Sequence, residues 1–78
     1  MNKQQLIENA TKKNFKIEFI VDQFDNELIG INKGKSCYHW FKVYSSGNVF
    51  FDHTYSCNTG NIKRGFDHGF KVTESLEN

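Results

Sequence analysis

The chain of 78 residues has no proline, a single alanine, a single arginine and two cysteines. It also lacks any apolar run longer than three or four residues. That last absence excludes a helical membrane span and a signal-peptide core, and the expected address is cytoplasmic. Two cysteines are too few for the disulfide framework of a small secreted scaffold. They are expected as reduced thiols. Missing proline excludes a collagen-like repeat. A hydrophobic content of 37%, a charged content of 24% and a net charge of +1 exclude a disordered or coiled-coil chain. A chain this short holds one domain with one core.

One arginine against nine lysines follows a wider skew. Residues with AT-rich codons (Phe, Tyr, Ile, Asn, Lys) are abundant, and those with GC-rich codons are scarce. Lysine abundance is then poor evidence for nucleic-acid binding, and asparagine abundance is poor evidence for a sugar-binding surface.

The hydrophobic pattern predicts a helix over 3–13. Asn2 is a good N-cap with Gln5 three residues on, the spacing of a capping box. Leu6, Ile7 and Ala10 form its apolar stripe, and Asn14 suits the left-handed position that ends it. From Phe15 the period becomes two: Phe15, Ile17, Phe19 and Val21 alternate with polar residues, broken only by Ile20. Strands are predicted over 15–23, 27–32, 37–45, 48–56 and 69–73. Gly30 inside the second suggests a bulge or a close backbone approach. Asn58 to Gly65 reads as a loop with a helical turn near Ile62, and Ser75 to Asn78 as a frayed tail. The fold class is α+β, an N-terminal helix packed on a small twisted antiparallel sheet of four to five strands.

The third and fourth strands make the clearest hairpin. A three-residue Ser45-Ser46-Gly47 loop pairs Val43 with Val49, Phe41 with Phe51 and His39 with His53. It gathers Cys37, His39, Phe41, Val43, Val49, Phe51, His53 and Tyr55 on one face. Tyr38, Trp40, Lys42, Tyr44, Asn48, Phe50, Asp52 and Thr54 take the other, with Trp40 opposite Asp52. A two-residue loop would mix the two sets, so the pattern favours the longer one.

Three constellations carry candidate chemistry. Cys37, His39, His53 and Cys57 are weak candidates for zinc, because paired His39 and His53 would bring their β-carbons to roughly 5 Å. Cys57 lies roughly 13 Å further along the strand, so the expectation is no metal and no cofactor. His39, His53 and His68, with Lys63, Arg64 and Lys71 nearby, supply the raw material of a metal-independent ribonuclease. Asp52-His53 and Asp67-His68 are expected to point apart, as strand neighbours do, so no catalytic framework forms. Asn58, Asn61, Lys63 and Arg64 form a secondary basic loop.

Tyr38, Trp40, Lys42, Tyr44, Phe50 and Asp52 are the strongest candidate site, a face of aromatics and mixed charge suited to binding a partner. Its alternative is burial beneath Phe66 and Phe70. The expected function is that of a non-catalytic binding protein, monomeric or homodimeric, that occupies a surface of a protein or protein–nucleic acid complex. A phage or mobile-element inhibitor of a CRISPR or restriction complex fits such a chain. A nucleic-acid-binding protein and a small toxin-type ribonuclease are the alternatives.

Overall fold

Asn2 starts the first helix in the way its side chain allows. Its carboxamide oxygen accepts the Gln5 N–H at 2.8 Å, and the Gln5 side chain accepts the Asn2 N–H at 3.0 Å. In the computed structural model, which describes residues 1–77, the helix α1 spans Lys3–Lys12. It stops where Asn14 turns left-handed at φ 59°. The Asn14 N–H donates to the Thr11 carbonyl at 3.1 Å and the Phe15 N–H to the Ala10 carbonyl at 3.0 Å. This is the Schellman ending, and it satisfies carbonyls that the helix itself leaves bare.

Five strands follow: β1 (Lys16–Val21), β2 (Glu27–Asn32), β3 (Cys37–Val43), β4 (Val49–Ser56) and β5 (Ile62–Lys63). They form one antiparallel sheet in chain order, each paired with the next. Asp22 holds the β1–β2 turn by accepting the N–H groups of Phe24 and Asn26 at 2.8 and 2.9 Å. Gly47, at φ 86°, makes the β3–β4 turn and leaves Val43 opposite Val49 and Phe41 opposite Phe51. The three-residue loop and the register as far as Phe41 and Phe51 are therefore those of the sequence reading.

The end of the chain differs from that reading. The predicted strand over 69–73 and the predicted tail lie in a second helix, α2 (Phe66–Glu77); Asn78 is outside the described residues. Gly69, Val72 and Leu76 are its buried positions, at helical spacing. The alternation of Phe70 with Val72 imitated a strand. Ile62 and Lys63, read as part of a loop, pair with Tyr55 and Thr54 as a short edge strand.

Both helices pack on the same face of the sheet. Leu6 and Ala10 of α1 and Val72 and Leu76 of α2 meet Ile29, Ile31, Phe41 and Val49, all buried. The register places Phe19, Ile29, Phe41 and Phe51 in one row across this face, and Ile17, Ile31, His39 and Thr54 in the next. The opposite rows are Ile20, Leu28, Lys42 and Phe50, then Glu18, Gly30, Trp40 and His53. No element covers that second face among the described residues.

Candidate functional site: the uncovered sheet face

One extra residue decides which side chains reach this face. Phe41 pairs with Phe51 but Trp40 pairs with His53, so Asp52 is a bulge in β4. A bulge reverses the in–out alternation beyond it. His53 and Tyr55 join the side of Trp40, and Thr54 turns into the core. The predicted pairing of His39 with His53 does not form: Thr54 stands opposite His39, and His53, not Asp52, stands opposite Trp40. The bulge also brings strand neighbours together that were expected to point apart. Asp52 Oδ2 lies 2.6 Å from His53 Nδ1, and Arg64 approaches the same oxygen at 3.6 Å.

The face is organised around two aromatic pairs. Tyr38 and Trp40 stack with centroids 5.8 Å apart and planes at 24°. Tyr44 meets Phe50 edge-on at 5.2 Å. The Lys42 ammonium lies 5.2 Å from the Tyr44 ring centre, a cation–π contact. The Tyr38 hydroxyl donates to Glu18 at 3.3 Å. Trp40 lies over Gly30, which is the close approach that this glycine suggested. Tyr38, Trp40, Lys42, Tyr44 and Phe50 thus come together, while Asp52 sits at the strand edge, tied to His53 and Arg64.

The alternative covering of this face does not occur. Phe66 is 89% and Phe70 68% exposed, and α2 lies on the far side of the sheet. Three further residues complete the face from β1 and β2: Glu18, Ile20 and Leu28. Ile20 carried the signal, since it alone broke the polar half of the β1 alternation.

The weak metal set does not converge. His39 points to the helices and His53 to the open face; Cys37 pairs with Ser56 in register, and Cys57 is exposed beyond the end of β4. Both thiols are free.

The histidines divide between two hydrogen-bonded groups. His39 Nδ1 is 2.8 Å from Thr54 Oγ1, and the same oxygen is 2.7 Å from His68 Nε2. Thr54 is buried. Burial, then Lys33, then His68, pushes the His39 pKa down to about 4. Burial first, then Lys63 and Lys71, lowers that of His68. Two neutral imidazoles can share one hydroxyl, donating to it from one ring and accepting its proton with the other. The group fastens α2 to the sheet. A ribonuclease that uses these histidines as base and acid would aim two of them at one accessible point. Here two aim at Thr54 and the third at Asp52, on the opposite face.

The secondary loop is divided as well. The Asn58 amide donates to Ser36 Oγ at 2.7 Å, and the Asn61 carbonyl accepts the Ser56 N–H at 2.9 Å. Lys63 shares the face of Thr54 and borders a cleft with Arg64, His68 and Lys71 at the start of α2. It is therefore separate from the aromatic face. No known protein family, no curated protein and no solved structure matches this chain.

Proposed function

We propose that this chain is a non-catalytic binding module that docks its uncovered sheet face on a protein or protein–nucleic acid complex. The observation that carries this reading is that both helices take the same face of the sheet, leaving Tyr38, Trp40, Lys42, Tyr44 and Phe50 open on the other. Rigid aromatics among scattered charges are the composition of an interface centre. Glu18 offsets Lys42 on the face and Arg64 approaches Asp52 at its edge, so the face lacks the excess of positive charge that a phosphate backbone calls for, which favours a protein surface. Host defence complexes of the CRISPR or restriction type are the partners to try first.

The test compares two variants against a captured partner. Trp40→Ala is expected to weaken binding at least tenfold with the sheet still folded by circular dichroism. The Lys63→Ala/Arg64→Ala double variant is expected to weaken it less than tenfold, as rim charges do. The reverse order, with affinity falling steeply with salt, would favour the nucleic-acid reading, which the cleft beside Lys63, Arg64 and Lys71 supports.

A further inference from the structure

A second surface lies around the edge of β4, on the side of α2. On its outer side β4 is paired at one end by the first residues of the chain: the Lys3 N–H donates to the Gly47 carbonyl and the Val49 N–H to the Met1 carbonyl, each at 3.0 Å. At the other end β5 pairs with Thr54 and Tyr55. Between them, Phe50 to His53 have no strand on this outer side among the described residues. A groove of about 760 Å³ opens along this gap. Phe51 and Gly69 line its inner part, and Phe50, Phe66 and Phe70, all exposed, flank it.

The aromatic area and the charge of the groove select its occupant. At about 200 Å² per ring, the uncovered parts of the three phenylalanines amount to about 400 Å². Two copies meeting through this patch would bury about 800 Å², short of the roughly 1,200 Å² at which specific interfaces begin. A short segment needs less. The charged side chains lining the groove are Asp52, Glu74 and Glu77, with no lysine or arginine among them. Arg64 already answers Asp52, and Glu77, exposed in the last turn of α2, is the carboxylate the proposal uses.

We propose that this groove binds a short segment of a partner protein, with a large apolar side chain held between Phe66 and Phe70 and a lysine or arginine directed to Glu77. The site lies around the edge of β4 from Trp40 and shares Phe50 with that face. Fluorescence anisotropy at low salt with two labelled peptides tests it, one of sequence Lys-Arg-Leu-Phe-Leu-Lys and one with every basic residue replaced by glutamate. The basic peptide is expected to bind saturably and at least tenfold more tightly than the acidic one. Phe70→Ser and Phe66→Ser should each weaken it tenfold or more, and Glu77→Lys at least threefold, all with the thermal midpoint kept because these side chains are exposed. Trp40→Ala should leave peptide binding unchanged. Equal binding of the two peptides, absence of saturable binding, or indifference to both phenylalanine changes overturns the proposal. So does loss of peptide binding in Trp40→Ala, which would place the peptide on the sheet face. A dimer in sedimentation equilibrium that Phe70→Ser dissociates would assign the groove to a second copy instead, and likewise overturns it.

Discussion

The Trp40 indole lies so close to Gly30 that a β-carbon there would meet ring atoms Cζ3 at 2.6 Å and Cη2 at 2.7 Å. Those atoms are the far end of the ring, on the solvent side of the sheet, so the indole can swing away. Gly30→Ala is therefore expected to change stability by no more than about 1 kcal/mol. It should move the tryptophan emission to longer wavelength and weaken partner binding nearly as much as Trp40→Ala. An unchanged emission spectrum would show that the indole does not rest on Gly30.

A β-carbon at Gly69 meets a less yielding neighbour. It would lie 2.6 Å from Cδ2 of Phe51, a ring held edge-on by Phe41 at 5.8 Å and by His68 at 5.5 Å. Alanine in a helix gains about 1 kcal/mol over glycine, and overpacking costs about 1–3 kcal/mol. The clash wins, and Gly69→Ala should unfold at lower urea than the parent.

Adjacent phenylalanines in β4 separate core from surface. Phe51→Ala removes a ring packed against the core and is expected to cost roughly 3 kcal/mol. Phe50, 58% exposed, should cost under about 1 kcal/mol on the same change. Equal urea midpoints for the two variants would contradict this placement of the strand.

Thr54 and its two imidazoles set a pH limit. With its pKa near 4 in the fold against an ordinary 6.5 for a solvated imidazole, His39 takes up a proton in the unfolded chain first. Stability is then full above about pH 6.5 and declines as the pH falls toward 4. His39 is only half buried, so the loss after screening is about 1–2 kcal/mol. The thermal midpoint measured from neutral pH down to about pH 4 should fall, and His39→Gln should flatten that fall. Thr54→Val leaves two ring nitrogens without their partner and should cost about 1–3 kcal/mol near neutral pH, with Thr54→Ser recovering most of it.

The residues that announced their structure were those with local causes. Asn2, Gln5 and Asn14 delimit α1 within one residue because capping is settled inside one turn. The Ser45-Ser46-Gly47 loop fixed the register next to it, as a turn does. The pattern misleads where one residue alters the count: nothing about Asp52 marks it as a bulge, and every residue beyond it (His53, Thr54, Tyr55) takes the opposite side from the one alternation predicts. The pattern misleads again at α2, where Gly69, Val72 and Leu76 do carry helical spacing. Two glycines and the exposed Phe66 and Phe70 obscured it, because phenylalanine taken as core pointed to the wrong face. The aromatic cluster was legible because Tyr38, Trp40, Lys42 and Tyr44 precede the bulge and alternate strictly. That it stands open depended on where α2 lies, which is a long-range fact.

Strands paired only with their neighbours in the chain have a kinetic consequence. Each hairpin closes a short loop, so the sheet can grow step by step at little entropic cost. Joining the two ends of the chain is the long-range step and is expected to come last: α2 meets α1, and Lys13 donates to the Ser75 carbonyl at 2.7 Å. The last helix is thus the part most easily released with the hairpins still in place. Native-state amide exchange should find α2 opening at a lower free energy than β3 and β4. Each such opening would bare Phe51, which packs against Gly69 and His68, so the lifetime of the helix on the sheet, more than the strength of the sheet, should govern resistance to proteolysis.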